Sequence, residues 1–361
     1  MAKPDITAPK QTWLSIPGDS IQAGIDAMAW TKRHFAERMG YSEKHVNLLL
    51  SAKVPITPDA AQRLSRVLGG AVEYWLTREA QYQGELARRK EEKTLANWVG
   101  WLDGLPRSYL RKLGLIQAQR KGTDQVRECL SFYGVASPKA WQDWNSTLQA
   151  SFRSSSAHQE VPSATSTWLR VGELKAAEIE CQPFEKSLFQ EALPQLRALT
   201  TEKNPKVFLP KMTDLCALAG VSLVNLPTPA GCVAFGATRW LSPHKALLML
   251  SNRYKTDDQW WFSFFHECGH LLLHSKKSAF VDSAKSVHSK EEDQANRFAA
   301  KVLIPDSHQA AFAALSGSKR DIQKFSKQIG VPPGVVVGRL QHEKRIPFSR
   351  HNDLKVQFQD I

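Results

Sequence analysis

Apolar side chains recur every three or four residues through the first part of the chain, which is the spacing of one helix face. Thr31 and Ser42 can each cap a helix, Gly40 fits a tight turn, and Thr57 with Pro58 can open another helix. Two helices joined through a glycine turn predict a helix-turn-helix. The apolar groups are Ile21, Ile25 and Met28; Phe35, Ala36 and Met39; and Val46, Leu49 and Leu50.

The pattern changes in the C-terminal third, where short apolar runs alternate with Gly, Pro and Asn. Runs rich in Val, Leu and Phe with such boundaries predict strands. Because a long apolar helix follows them, we expect a small sheet packed on that helix. The predicted strands lie in GVSLVNLP (220–227), CVAFGATRWL (232–241) and KALLMLS (245–251).

The helix after these strands is apolar on nearly every face. Asp257 and Asp258 have the position of caps and first-turn acids, and the run continues to about His274. A second helix is predicted in SKEEDQANRFAAKVLIP, and Pro305 ends it. Its apolar positions at helical spacing are Ala295, Phe298, Ala299 and Val302.

The middle of the chain has scattered tryptophans and charges but no metal or phosphate motif. Helical spacing returns in VGELKAAEIECQPF and SLFQEALPQLRAL, whereas the Ser-rich FRSSSAHQEVPSATSTW predicts a loop or linker. We interpret this region as a helical spacer or sensing region. Near the end, DIQKFSKQIGVPPGVVVGRLQHEKRI again has helix, Gly turn and helix. We expect this pair to pack on the domain before it and shape its cleft; a second DNA reader is the alternative.

Length and composition narrow the class of protein. The 361 residues are enough for two or three domains. No apolar run reaches the ~18 residues of a membrane span, and MAKPDITAPKQTW lacks the apolar stretch of a signal peptide. Five scattered cysteines without a CxxC pair predict a reduced, cytoplasmic protein. A net charge of +13 favours a nucleic-acid partner.

Two histidines and a glutamate interrupt the apolar helix. His266 and His270 are four residues apart, so both imidazoles can reach one ion, and Glu267 can contact a water on that ion. This HExxH arrangement predicts a zinc site with Glu267 as the catalytic base. Such a site needs a third protein ligand, and Glu292 is the candidate, with Glu291 as the competitor.

Further residues around the predicted site are expected to support its ligands, pack beside it or contact the substrate. Asn296 lies four residues after Glu292 and can bond to a ligand histidine, and His274 is expected to have a similar supporting role or to contact substrate. Cys268 is expected to be a packing residue. We expect an extended peptide to bind along an exposed edge at Cys232–Leu241. Three residues are candidates for stabilising an oxyanion: Tyr254, His288 and Arg297.

FHECGHLLLH followed by EEDQANRFAAKVLIP resembles the ImmA/IrrE family of metallopeptidases. The resemblance implies a small zincin-like fold, zinc bound by His266, His270 and Glu292, and Glu267 as base. It also implies cleavage of a repressor-type regulator. One departure is Gln294, where many members of the family have a second glutamate.

The N-terminal stretch resembles Xre/lambda-repressor-like helix-turn-helix domains, and within them the HigA-type subgroup, through SEKHVNLLLSAKVPIT and EYWL. The resemblance implies that a dimer binds double-stranded operator DNA. Leu48 stands where a polar side chain is more usual, and Ser51-Ala52-Lys53 replaces Asn-Gly-Lys. The implied groove-facing residues are Ser42, Glu43, Lys44 and Asn47, and the implied phosphate contacts are Lys32 and Lys53.

The predicted fold class is α+β and mostly helical, with a short sheet in the C-terminal domain. We expect a DNA-binding domain at 1–90, a helical spacer at 91–200 and the metallopeptidase at 201–361. The predicted function is a transcriptional regulator with a zinc endopeptidase. Two alternatives are an antitoxin that binds operator and toxin while its metal site is structural or vestigial, and a repressor that cleaves itself.

Overall fold

The computed structural model describes residues 15–151, 162–253, 256–276, 280–283 and 289–358. The chain forms two compact units, Met1–Val99 and Gly100–Ile361. Within the described residues the protein is mostly helical and has one small mixed sheet, in the second unit. The predicted fold class is therefore confirmed.

The first unit is a group of helices that begin and end where the sequence predicts. Thr31, Ser42 and Thr57 each accept a hydrogen bond from a backbone N–H of the helix that they precede. Gly40 ends the second helix in the left-handed conformation, with φ of 67°. The helices are α1 (Pro17–Ala27), α2 (Lys32–Met39), α3 (Glu43–Leu50), α4 (Pro58–Leu68) and α5 (Val72–Ala96).

The core of this unit consists largely of the predicted apolar groups. Met28 is an exception: it follows the end of α1 and is 46% exposed. Trp75 is buried and Trp30 packs against the core, whereas Tyr74 is half exposed. The predicted core residues that are buried are Ile21, Ile25, Phe35, Ala36, Met39, Val46 and Leu49.

The second unit begins with helices, continues into the sheet and ends with helices. Short 3-10 turns lie at Val99–Gly104, Leu199–Thr201, Asp306–His308 and Asn352–Leu354. Its α-helices and strands, in chain order, are α6 (Arg107–Lys112), α7 (Gly122–Tyr133), α8 (Pro138–Ser151), α9 (Pro162–Glu178), α10 (Lys186–Ala198), α11 (Pro205–Leu218), β1 (Val221–Leu226), β2 (Ala234–Ser242), β3 (Lys245–Ser251), α12 (Asp257–Leu273), β4 (Phe280–Ser283), α13 (Lys290–Leu303), α14 (Gln309–Ala313), α15 (Lys319–Ile329) and α16 (Pro333–His342).

The sheet contains the three predicted strands and a fourth, β4, that the sequence pattern does not reveal. The strand order is β1-β3-β2-β4, with β1 parallel to β3 and β2 antiparallel to both of its neighbours. The prediction of an exposed peptide-binding edge at Cys232–Leu241 is therefore wrong. Ala234–Thr238 of β2 pairs with β4, so this segment lies inside the sheet.

Helices cover β3 on both faces, which explains its unbroken apolar run. Ala246, Leu248 and Leu250 join the core that includes α12. On the other face, Met249 lies against α9, where a Cβ on Gly172 would be only 2.2 Å from its sulfur. Side chains along β3 alternate between the two faces of the sheet. α12 therefore covers the face to which Ala246, Leu248 and Leu250 point.

α12 is surrounded by other elements, and this is why it is apolar on nearly every side. Trp260, Trp261, Phe264 and Phe265 are at most 1% exposed. They share one core with residues of α11, α13, α15 and α16. The helix–turn–helix spacing near the end of the sequence is thus a pair of helices packed on this domain, as expected.

One predicted loop is partly wrong. Residues 152–161 of FRSSSAHQEVPSATSTW lie outside the described residues, but Pro162 starts α9, a helix that continues to Glu178. The hydroxyl-rich start of α9 is buried, and its hydroxyls find local partners. Thr167 donates to the carbonyl of Ser163 and also bonds to the hydroxyl of Tyr133.

The N-terminal end of α12 is joined to a segment 99 residues later, at 355–358, which we call the clasp. The backbone N–H of Asp257 donates to the carbonyl of Val356, and the N–H of Val356 donates to Oδ1 of Asp257 at 3.1 Å. Thr256 pairs with Gln357, and Phe358 packs on Trp260. The clasp fixes where α12 begins.

Asp257 makes the stability of this junction depend on pH. Its side chain is buried, and burial, followed by the charge of Asp258, raises its pKa from 3.8 to about 7. The folded state therefore holds a proton that the unfolded chain releases, so stability is greatest at low pH and falls as pH rises toward 7. The full difference corresponds to about 4 kcal/mol.

Asp257→Asn is expected to remove this dependence, because the amide keeps the acceptor oxygen and does not ionise. The free energy of unfolding, measured with a denaturant at about pH 5 and about pH 8, should favour the variant by about 2 to 3 kcal/mol more at the higher pH. Asp103→Asn, a change at an exposed carboxylate, is the control. A constant difference between variant and wild type would contradict the prediction.

Candidate metal centre

Three side chains from α12 and α13 converge inside the second unit. His266 Nε2 and His270 Nε2 are 2.9 Å apart. Glu292 Oε2 lies 3.2 Å from His266 Nε2, and its Oε1 lies 3.5 Å from His270 Nε2. All three residues are at most 5% exposed. The structure thus brings together the three ligands predicted from the sequence.

Hydrogen bonds on the far side of each imidazole determine which nitrogen carries the proton. His266 Nδ1 donates to Asn296 Oδ1 at 3.0 Å. His274 Nε2 donates to Gln294 Oε1, so its Nδ1 accepts from His270 Nδ1 at 3.0 Å. The Nε2 atoms of His266 and His270 therefore carry no proton and can act as acceptors. This is the supporting arrangement typical of metal-binding histidines.

The converging atoms fit a cation. Two imidazole lone pairs and a carboxylate, buried and within hydrogen-bond distance of one another, repel unless a positive charge lies between them. Burial and the neighbouring His266 and His274 lower the pKa of His270 to about 2. Because the His270 imidazole stays neutral, protonation of His270 does not relieve the repulsion. Two nitrogens and one carboxylate are a donor set that suits zinc.

Glu267 lies against the sheet, next to the converging side chains. It is completely buried. A Cβ on Gly236 of β2 would lie 2.3 Å from Glu267 Oε1 and 2.8 Å from its Cγ and Cδ. Only glycine leaves the space that this carboxylate occupies. Gly236 thus positions the predicted base from a different element.

A small-residue contact sets the distance between the two helices of the centre. A Cβ on Gly269 would be 3.1 Å from the Cα of Ala295, so α12 and α13 are in close contact at this level. Phe280 of β4 stacks on the His270 ring, with centroids 4.0 Å apart. The close approach allows Glu292 to reach both histidines.

The remaining predictions for this region have mixed outcomes. Glu291 is exposed, so the structure places Glu292 and not Glu291 at the centre. Cys268 is fully buried in the core, as expected of a packing residue. Tyr254 and His288 lie outside the described residues. Arg297 follows Asn296 and lines a cavity beside the centre.

Sequence reasoning missed three contributors to the centre. Gly236 and Phe280 belong to other elements, and no local pattern in the sequence connects them to α12. Gln294 is a departure from the family pattern, and it bonds to His274, which in turn bonds to His270. Because residues two apart on a helix do not face each other, the spacing of Gln294 from Glu292 gives no signal of this role.

The predicted DNA-contacting residues lie on the surface of the first unit. All six are exposed, on or beside α2 and α3: Lys32, Ser42, Glu43, Lys44, Asn47 and Lys53. Leu48 is half-buried. Ala52 has a φ of 52°, so it occupies the left-handed conformation for which related domains use glycine.

None of the described helices is both long and apolar enough to cross a membrane.

Residues 236–341 match the family model described as IrrE N-terminal-like domain, Peptidase_M78. This stretch contains all the side chains of the candidate centre. Over 60 residues, in its N-terminal part, the chain is 37% identical to the uncharacterized HTH-type transcriptional regulator YddM of Escherichia coli (strain K12). The match covers 17% of this chain and 64% of the relative, so this chain spans less than two thirds of that relative's length.

Proposed function

We propose that this protein is a DNA-binding transcriptional regulator that carries a zinc-dependent endopeptidase. The chain joins a helix-turn-helix region to an IrrE-like domain of a metallopeptidase family. The substrate would be a regulator-type protein. The observation that carries the proposal is the convergence of two imidazole acceptors and a carboxylate beside a buried glutamate. A purely structural metal site would not need Glu267.

His266, His270 and Glu292 would hold the metal ion. When bound, zinc supplies a Lewis acid that polarises a carbonyl and lowers the pKa of a water. Asn296 and His274 keep the imidazoles in the tautomer that leaves Nε2 as acceptor. The fixed orientation means that the ligands need little rearrangement to bind the ion.

Glu267 would perform the proton transfers. Its carboxylate accepts a proton from the water as the water oxygen attacks the peptide carbonyl, and then donates that proton to the leaving nitrogen. The surrounding β2 backbone and the apolar core exclude bulk water from the carboxylate. Gly236 holds it at one place against the sheet.

Glu267→Gln tests the enzymatic part. The amide cannot accept the proton, so proteolysis should fall by about 10²- to 10⁴-fold. Metal content and DNA binding should not change. The measurement is N-terminal proteomics of cells that express wild type or variant, in which new N-termini should appear with the wild type alone.

Glu291→Gln is the matched control, because it makes the same change at an exposed carboxylate of the neighbouring helix. Equal sets of new N-termini with wild type and Glu267→Gln would refute the enzymatic proposal. The antitoxin with a structural metal site would then be the better description.

The DNA-binding part predicts different effects for two lysines of the first unit. Lys44→Ala, at a proposed base contact, should change sequence preference by about 10-fold or more. Lys53→Ala, at a proposed phosphate contact, should weaken all sequences alike and reduce the salt dependence. Electrophoretic shifts with the upstream region of the protein's own gene measure both, at two salt concentrations.

Lys93→Ala in α5 removes the same charge from an exposed position of the same unit and is the control. Absence of any shift at low salt with the wild-type protein would exclude operator binding at that site. A palindromic operator bound by a dimer should give a single shifted complex with a stoichiometry of two chains.

A further inference from the structure

The helix α15 carries a strip of positive charge on the side that faces away from the domain core. Arg320, Lys324 and Lys327 are all exposed. Their spacings of four and three residues place them on one face of the helix. We call these three cations the basic strip. The opposite face holds the buried residues of α15, which are Ile322, Phe325, Ser326 and Ile329.

The cations of the basic strip lack ion-pair partners. On several other helices an exposed cation pairs with a carboxylate three or four residues away, as Arg33 does with Glu37. No described residue forms an ion pair with a cation of the strip. The one acid in α15, Asp321, instead accepts from the hydroxyl of Ser316. Like charges at these spacings weaken a helix, so the strip does not serve the stability of the domain.

The spacing of the basic strip matches that of phosphates along DNA. Arg320 and Lys327 are seven residues apart, which corresponds to a rise of about 10 Å along a helix. One strand of DNA carries a negative charge about every 3.4 Å, so the same length contains about three phosphates. Gln323 and Gln328 are also exposed on α15 and can donate to phosphate oxygens. Three cations can therefore contact three successive phosphates.

Two observations favour DNA over an acidic protein as the partner of the strip. Lys32, Lys44 and Lys53, the lysines proposed to contact DNA, are likewise exposed and form no ion pair with a described residue. Most of the excess positive charge of the chain lies in the second unit and not in the unit with the helix-turn-helix. The first unit alone therefore does not account for the basic character of this chain.

The packing of α16 determines what kind of contact α15 can make. A helix-turn-helix reads bases with its second helix. Here the second helix, α16, is covered by the domain, and Val335, Val336 and Val337 are at most 4% exposed. This pair therefore cannot place its second helix in the major groove. Only the surface of α15 is free, and contacts between cations and phosphates position a protein without specifying a sequence.

We propose that the basic strip is a second DNA-contacting surface, which binds the phosphate backbone of double-stranded DNA whatever its sequence. This role goes beyond the operator binding proposed for the first unit. It is also independent of the proposed peptidase activity, because it involves neither the metal ligands nor Glu267. The strip would add affinity that depends on salt, and the first unit would supply the preference for a sequence.

The combined variant Arg320→Gln, Lys324→Gln and Lys327→Gln tests the proposal in the full-length protein. Fluorescence anisotropy with a labelled duplex of random sequence measures affinity between about 50 and 200 mM salt. Random sequence removes the contribution of base reading by the first unit. Affinity near 100 mM salt should fall by about 10-fold or more. The slope of log affinity against log salt should decrease by about 2 to 3 per bound chain.

A matched variant removes the same charge from other helices of the second unit. Lys186→Gln, Lys206→Gln and Lys211→Gln change exposed lysines of α10 and α11. This variant should change the slope by less than about 1. Equal losses of affinity in the two variants would show that net charge alone matters, and the strip would not be a site. An unchanged slope in the strip variant would also overturn the proposal.

Cross-linking tests contact without a change of charge. p-Benzoylphenylalanine in place of Gln323, an exposed position between two cations of the strip, should cross-link to the duplex under light. The same group in place of Ala311, exposed on α14, should not. Absence of a cross-link from position 323 contradicts the proposal. If polyglutamate binds the wild type more tightly than DNA and the strip variant loses this binding, the partner is an acidic polypeptide and the assignment to DNA is wrong.

Discussion

His266→Ala or His270→Ala is expected to reduce the metal content of the purified protein from about one zinc per chain to near zero. Each change removes one of three converging ligand atoms and leaves a cavity that water can enter. The two ligands that remain would bind the ion only weakly, because a zinc site needs at least three protein ligands. Metal analysis after dialysis against a mild chelator measures the loss.

Glu292 and Glu291 provide a matched pair for the third ligand. Glu292→Gln should weaken metal binding strongly, because the amide lacks the charge and Glu292 is within 3.5 Å of both histidines. Glu291→Gln should have no effect, because its side chain is exposed. If Glu291→Gln weakened metal binding more than Glu292→Gln, Glu291 would be the third ligand. Asn296→Ala should cost about 10- to 100-fold in affinity, as expected for support of a ligand histidine.

Gly236→Ala is expected to abolish proteolysis while the metal stays bound. The new methyl group would be 2.3 Å from Glu267 Oε1, and the carboxylate is buried, so it must leave its place. Loss of a positioned base lowers the rate by about 10²- to 10⁴-fold. Since Glu267 is not one of the three converging ligands, zinc content should be close to that of the wild type.

Two other glycines serve as controls. Gly104→Ala adds a methyl group to the same unit where nothing lies within 4 Å. Gly172→Ala forces a comparable contact, 2.2 Å from Met249 Sδ, on the other face of the sheet. If Gly172→Ala loses activity as completely as Gly236→Ala, general strain and not displacement of Glu267 explains the result.

The candidate ligands could be predicted because their geometry is local. A spacing of four residues places His266 and His270 on one face of α12. The same spacing places Glu292 and Asn296 on one face of α13. The caps Thr31, Ser42 and Thr57 were equally predictable, since each acts within three residues of itself. In these cases the chemistry and the spacing lie within one element.

What the sequence could not predict depends on contacts between elements. Gly236 faces Glu267 only because of the position of β2 against α12, and no spacing rule encodes that position. The strand β4 has four residues, too few for a recognisable alternation, and missing it led to the wrong edge for the sheet. The start of α9 differs from the predicted loop because Ser and Thr favour loops unless their buried hydroxyls find partners, as that of Thr167 does.

The clasp also has a consequence for synthesis of the protein on the ribosome. Asp257 is translated 99 residues before Val356, its hydrogen-bond partner. At about 5 to 20 residues per second, α12 exists for roughly 5 to 20 seconds before the segment that fixes its start has been made. During that interval Trp260 lacks the cover of Phe358. The nascent chain therefore presents an apolar helix whose first turns stay partly uncovered until this late segment has emerged.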